Sequence, residues 1–337
     1  MTRLTRRDVV AGMAAAGTLP VAGKARAQTS ERRYTVYMIT WRGWEDASQG
    51  FRDYLERRNL PIDFVIRDCE QSAAAIPDFV AEAKSLGPDL VYTWGTTTAL
   101  SVFGRLGEVD PARHITDIPS VFNIVSTPVD GGLVEALDRP RAYLTGALYL
   151  VPVETQLRTM SSYAPVTRVG MVYNALEANS QLTVAEVEGQ GLLQGFATLA
   201  YPVPLGADGA PDVAALAGEV ARLKAEGADW LYIPPDSFLN VNRELLTVAA
   251  RDAGLPSFAG AENFIRASHG LVGLVSRYYN VGQYVGYLAE QILIDGRLPG
   301  ELPIRNLDRF SLIVNMATAH RLRFYPPLSM LSIAEFV

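Results

Sequence analysis

From Arg33 onward, short apolar runs alternate with amphipathic stretches of about ten to fifteen residues, the signature of βαβ units and a parallel sheet. The apolar runs predict strands over Tyr34 to Ile39, Ile62 to Ile66, Asp89 to Thr93, Ser120 to Val125 and Ala142 to Leu148. Between the first two, Ala47 to Arg58 puts Phe51, Tyr54 and Leu55 on one side and Arg52, Asp53, Glu56 and Arg57 on the other, which is a surface helix. Ala73 to Leu86, stopped by Gly87-Pro88, and Thr97 to Leu106 are helices of the same kind. These elements make one Rossmann-like lobe. The pattern then begins again: helices over Val153 to Tyr163, from Asn179 or Ser180 to Leu193, Val213 to Glu226, Val241 to Ala253 and Val281 to Ile294, with strands over Val169 to Tyr173, Ala197 to Val203, Asp229 to Ile233, Ser257 to Ala259 and Leu271 to Ser276. The expected fold class is α/β, two Rossmann-like lobes with parallel sheets in series.

In an open α/β sheet, ligands are held beyond the carboxyl ends of the strands, beside helix N-termini whose free N–H groups attract anions. The turn Tyr173 to Ser180 gathers Asn174, Asn179 and Ser180 at such an end, with Asn179 and Ser180 as N-cap residues. The first strand ends in Trp41-Arg42-Gly43-Trp44. These side chains either pack their loop onto the lobe or line a site, the tryptophans stacking on a planar ligand and Arg42 pairing a carboxylate. Trp94-Gly95-Thr96-Thr97-Thr98 opens a helix with more threonines than a cap requires, and Ser126 follows another strand. In the second half, Asp236 and Glu262 follow strands. Each can receive a ligand ammonium, cap a helix or join a hinge ion pair. Polar strand ends in both lobes point to a cleft between them.

Composition adds a destination and removes several chemistries. Residues 1 to 27 read as an export signal: Thr5-Arg6-Arg7-Asp8, a mild Ala/Gly/Val stretch, then Ala25-Arg26-Ala27 before Gln28. The paired arginines resemble a twin-arginine signal, and an ordinary secretory signal fits the same residues. This segment carries Arg3, Arg6, Arg7, Lys24 and Arg26 against Asp8, so cleavage near Ala27 takes the formal charge from −6 to about −10. An acidic exported chain carries no footprint for nucleic acid. Cys69 is the single cysteine, so there is no internal disulfide, and none follows the cleavage point to take a lipid. His114, His269 and His320 are scattered, and no zinc, dinucleotide, phosphate-loop or nucleophile-elbow motif is present. The sequence therefore calls for no metal, cofactor or catalytic set.

A series of motifs runs along almost the whole mature chain: Asp117-Ile118-Pro119-Ser120-Val121-Phe122, Val151-Pro152-Val153-Glu154, Arg168-Val169-Gly170, Glu177-Ala178-Asn179-Ser180, Pro256-Ser257-Phe258-Ala259-Gly260, Tyr278-Tyr279-Asn280-Val281-Gly282 and Val314-Asn315. In these motifs and their order the chain resembles the tryptophan/tyrosine-type substrate-binding proteins of ABC transporters, within the type I periplasmic binding protein fold. The resemblance implies that Thr96 and Thr97 help hold a ligand carboxylate, that Asn174, Asn179 and Ser180 line the opposite wall, and that Asp236 lies at the rim. It also implies lobes formed by residues 28–148 with 281–307 and by residues 149–280 with 308–337, joined by a hinge. Two departures widen the expected ligand. Ala261 intervenes before Glu262, and the loop with Trp41, Arg42 and Trp44 is unlike the family's usual one, so an aromatic or planar carboxylate suits the chain as well as an amino acid.

The expectation is a monomeric periplasmic protein that closes on a small organic ligand and delivers it to an ABC permease in the inner membrane. A sensing module for a membrane receptor is the alternative, and the sequence does not separate the two. A hydrolase or lyase with Asp236 or Glu262 as general base finds no nucleophile, metal set or paired acid to support it.

Overall fold

The computed structural model describes residues 32–307 and 309–337. The expected export signal and its cleavage point lie outside the described residues. In chain order the first half comprises β1 (Tyr34–Thr40), α1 (Asp46–Arg57), β2 (Ile62–Asp68), α2 (Ile76–Leu86), β3 (Leu90–Trp94), α3 (Thr96–Phe103), β4 (Ser120–Val125) and β5 (Leu144–Leu148). Its strands form a five-stranded parallel sheet in the order β2-β1-β3-β4-β5. The inner strands β3 and β4 are buried throughout, which explains their largely apolar sequences, interrupted only by the buried polar residues Thr93, Ser120 and Asn123.

The second half comprises α4 (Val153–Tyr163), β6 (Arg168–Tyr173), α5 (Ala178–Gln194), β7 (Ala197–Pro202), α6 (Leu216–Ala225), β8 (Trp230–Ile233), α7 (Ser237–Val241), α8 (Arg243–Asp252), β9 (Ser257–Ala259), α9 (Asn263–Arg266), β10 (Val272–Val275), α10 (Tyr278–Leu293), β11 (Ser311–Val314), α11 (Met316–Leu322) and β12 (Ala334–Phe336). Seven strands form the second sheet, in the order β12-β11-β10-β9-β8-β6-β7. The architecture is the expected α/β pair of Rossmann-like lobes, with one correction: this sheet is mixed, because β11 runs antiparallel to β10. The reason is the path of the chain. After β10 it crosses to the first sheet, where α10 packs on α1, β4 and β5, and Leu148 N–H bonds to Arg305 O. It then returns from that side, so β11 enters the second sheet from the end at which β10 left.

The α1–α10 contact fixes this crossing. Backbones approach so closely that a Cβ added at Gly282 would lie 2.0 Å from Ala47 O, and one at Gly50 would lie 2.0 Å from Tyr279 O. Glycine is required at both positions by space rather than by φ. Three local expectations also need correction. Asn179 and Ser180 sit inside the first turn of α5, and the N-cap position is held by Glu177. Gly95, at φ +92, precedes α3, so its threonines are likewise within the helix rather than capping it. The helix expected over Val241 to Ala253 is present as α8 but starts only at Arg243, and Val241 instead ends a separate short helix, α7.

Candidate ligand-binding cleft

The carboxyl ends of β1, β3 and β4 face those of β8 and β9 across a narrow cleft. Its first wall belongs to the first sheet. Trp41 and Trp94 are buried there, and the Arg42 guanidinium lies 4.7 Å from the centre of the Trp94 ring. Arg42 Nε and Nη2 donate to the Glu45 carboxylate at 2.9 and 3.2 Å, which uses one edge of the guanidinium fork. Burial acts to lower the Arg42 pKa, but Glu45, with Tyr278 and Glu177, more than offsets this and holds the group above its ordinary value.

Other donors on this wall are unspent. The Trp94 Nε1–H is buried without a partner among the described residues. No side chain caps α3, so the N–H groups of its first turn are open beside Thr96 and Thr97. Thr96 Oγ1 accepts from Ser126 N at 3.2 Å and ties the ends of β3 and β4 together, while Ser126 Oγ and Tyr149 OH are 3.0 Å apart. Burial pushes the Tyr149 hydroxyl up to about 12, so it is neutral. Between them, Ile124 sits at φ +54 where the β4–β5 register shifts. A β-branched residue in that region is strained, and strain of this kind concentrates at binding sites.

The second wall is acidic and tightly bonded. Asp236 and Glu177, 3% and 7% exposed, bind the first turn of α7 together. Glu177 accepts from Ser237 N at 2.9 Å and Phe238 N at 3.0 Å, and Asp236 Oδ1 accepts from Leu239 N at 2.9 Å. Glu177 also accepts from the side-chain amides of Asn174 and Asn179, and Asp236 Oδ2 accepts from Asn174 N at 2.8 Å and from the Ser180 hydroxyl. Two turns about sixty residues apart are thereby clasped. Burial, and then the Glu177 charge, push the Asp236 carboxyl up to about 7. One helical turn beyond, Asn240 is 5% exposed and its Oδ1 has no partner among the described residues. Phe264 and Tyr278 complete the aromatic lining.

Of the residues singled out in the sequence, Trp41, Arg42, Trp94, Gly95, Thr96, Thr97, Ser126, Asn179 and Asp236 all border this one cavity. Four do not. Trp44 turns outward, 39% exposed, and donates from Nε1 to Gln49 Oε1 at 2.7 Å. Asn174 and Ser180 stand behind Asp236 with their polar atoms used in the clasp. Glu262 accepts from Tyr278 N at 2.7 Å and faces Arg266 at 3.3 Å, so it anchors the start of α10. Conversely Ile124, Tyr149, Asn240, Phe264 and Tyr278 line the cavity although residue type does not single them out, and Glu177, within the Glu-Ala-Asn-Ser motif, braces the second wall. Asn240 carried a usable signal, since it follows Asp236 by four residues on one helix face.

A cleft of this kind between two Rossmann-like lobes defines a small-molecule binding protein of the type I periplasmic binding protein fold. Residues 39–336 match the ABC transporter substrate binding protein family, and the chain belongs to it. The family is one of substrate-binding proteins rather than enzymes. The chain is 23% identical over 283 residues to a tyrosine-binding protein of Clostridioides difficile, covering 81% of this chain and 75% of that one. Among solved structures, an ABC domain in complex with L-Trp from Streptococcus pneumoniae superimposes with a TM-score of 0.75 at 20% identity, over 90% of this chain and 99% of that one. A conserved domain protein from Vibrio cholerae gives 0.77 at 23% identity, with the same coverage. Among the described residues no helix is long and apolar enough to cross a membrane.

Proposed function

We propose that the chain is the periplasmic solute-binding component of an ABC importer and that its ligand is an aromatic amino acid. The observation that carries this reading is the polarity of the cleft. One wall offers Arg42, the Trp94 N–H and the α3 N-terminus to a carboxylate; the other offers Asp236 and the orphaned side-chain Oδ1 of Asn240 to an ammonium. The aromatic side chains between them suit a planar ring. The sequence reading left open a planar carboxylate without an ammonium; the buried acidic pair favours the zwitterion. A tyrosine-binding relative and a neighbour holding L-Trp point the same way.

In this reading the lobes are residues 28–148 with 281–307 and residues 149–280 with 308–337. Residues 1 to 27 direct export, and the monomer closes on its ligand and delivers it to a permease in the inner membrane. Closure follows from tighter binding to the closed form. The test is a thermal-shift and calorimetric comparison of L-tryptophan and L-tyrosine with their deaminated propionates. A ligand at a hundredfold its Kd adds about 2.7 kcal/mol of stability, read as a raised Tm. Stabilisation by the amino acids alone supports the reading; stabilisation by the propionates alone would replace it with a plain carboxylate.

A further inference from the structure

We propose that the Glu177–Asp236 pair carries an exchangeable proton that a ligand's ammonium must displace, so that capture of an amino acid releases a proton to solvent. The inference rests on the zwitterion reading above and adds a linkage to pH. Its basis is a charge imbalance. Two buried carboxylates share the first turn of α7, and the partners of both are neutral: the backbone N–H groups of Asn174, Ser237, Phe238 and Leu239, the amides of Asn174 and Asn179, and the Ser180 hydroxyl. A short helix N-terminus offsets part of one charge, not two.

Charged and titratable groups facing the pair supply no remedy. Arg42, on the loop after β1, acts on Glu177 but is already forked onto Glu45. Tyr149 and Tyr278 are held neutral by burial. Glu262 is committed to the start of α10. No lysine or histidine lines the cavity, and none of the groups acting most strongly on Asp236 is cationic. Burial and the Glu177 charge outweigh the hydrogen bonds from Ser180, Leu239 and Asn174, which favour the ionised form, and push the Asp236 carboxyl up to about 7. Without ligand, the pair holds this proton below a pH of about 7.

An incoming ammonium changes this. Asp236 Oδ1 accepts only from Leu239 N, and Asn240 Oδ1 accepts from nothing among the described residues, so the two oxygens offer acceptor capacity to one cation. Seating the cation requires the ionised carboxylate: the O–H bond of Asp236 breaks, the electron pair stays on the carboxylate, and the proton passes to buffer. Below a pH of about 7 the amino acid therefore competes with a proton, and affinity falls by up to about tenfold per pH unit. From about pH 8 until the ligand's own ammonium begins to deprotonate, the affinity is flat.

The experiment is calorimetric titration with L-tyrosine and L-tryptophan from pH 5.5 to 8.5, repeated at pH 7 in phosphate and in Tris. The expected result is release of roughly half a proton per ligand at pH 7, seen as different heats in the two buffers, with Kd rising below pH 7. Asp236→Asn should bind more weakly and without that pH dependence, and Glu177→Gln should move the break in Kd to lower pH. Equal heats in both buffers with a pH-independent Kd overturn the inference while leaving the amino acid as ligand. Binding of the deaminated propionates alone overturns the ligand reading and the inference with it. A measurement without ligand decides independently of either. Because the raised carboxyl stabilises the folded protein at low pH and loses that contribution as pH rises through about 7, the Tm difference between Asp236→Asn and wild type should become more favourable to the variant from pH 5 to pH 8. A difference that does not change with pH overturns the proposal.

Discussion

The two walls of the cleft are built on opposite plans. On the first-sheet wall the polar groups are left partly unspent: Arg42 bonds with one edge, the Trp94 N–H has no partner, and the N-terminus of α3 is uncapped. On the second-sheet wall the acids are spent many times over, on α7 and on the turn before α5. The first wall is thus prepared to receive and the second to stay rigid. Its remaining capacity toward a ligand is a charge and the side-chain Oδ1 of Asn240 rather than a set of free donors. The difference has a measurable form. Changes on the first wall should cost affinity more than stability, and changes on the second should cost stability at least as much as affinity.

The largest effect expected is that of Glu177→Ala. It removes the acceptor for Ser237 N, Phe238 N and the amide of Asn174, and a buried donor left without a partner costs about 1 to 3 kcal/mol. Relief of repulsion on Asp236 returns part of this. The net loss should be about 3 to 5 kcal/mol in urea denaturation at pH 7, enough to threaten folding. A loss below about 1 kcal/mol would mean that the clasp is not what holds the second wall.

Arg42→Ala comes next and probes the other plan. Without a guanidinium the ligand carboxylate loses a charge-assisted contact, so affinity for L-tyrosine or L-tryptophan should weaken by about 1.5 to 3 kcal/mol. Stability should fall by about 1 to 3 kcal/mol, because the largely buried Glu45 carboxylate is left without its partner. Calorimetric titration and denaturation of the same variant give both numbers. A stability loss larger than the affinity loss would erase the distinction between the walls.

How far the sequence could see follows from the same contrast. The alternation of strand and helix, and the start again after Leu148, were legible because burial of β3, β4 and β8 demands predominantly apolar runs whatever lies around them. The reversed direction of β11 was not, since a strand's own residues carry no record of the side from which the chain arrives. At the cleft, strand ends announced themselves by residue type, and type alone placed Asn179 and Ser180 together. One borders the cavity while the other stands behind Asp236, a difference of a single step around a helix. Glu262 illustrates the same blindness: an acid after a strand reads alike whether it meets a ligand or the N–H of Tyr278. Tyr149, Phe264 and Tyr278 lie on a crossing segment, in a four-residue helix and at a helix start, so only the folded chain brings them to the cavity.

The smallest effect expected is that of Trp44→Ala, which marks the edge of the first wall. Gly43 adopts φ +90, a conformation that turns the chain between Arg42, facing the cavity, and Trp44, facing away. The Trp44 indole bonds only to Gln49 at the surface, and Gln49 in turn donates to Asp53 on α1. Truncation therefore removes an exposed hydrogen bond and part of a half-buried ring, worth about 1 kcal/mol or less in stability. Affinity for L-tryptophan and L-tyrosine should stay within about twofold, a difference of roughly 0.4 kcal/mol. A tenfold loss would show that the ligand reaches past Gly43 to the outer face of the loop. The receiving wall would then extend beyond Arg42, with an indole on each side of it.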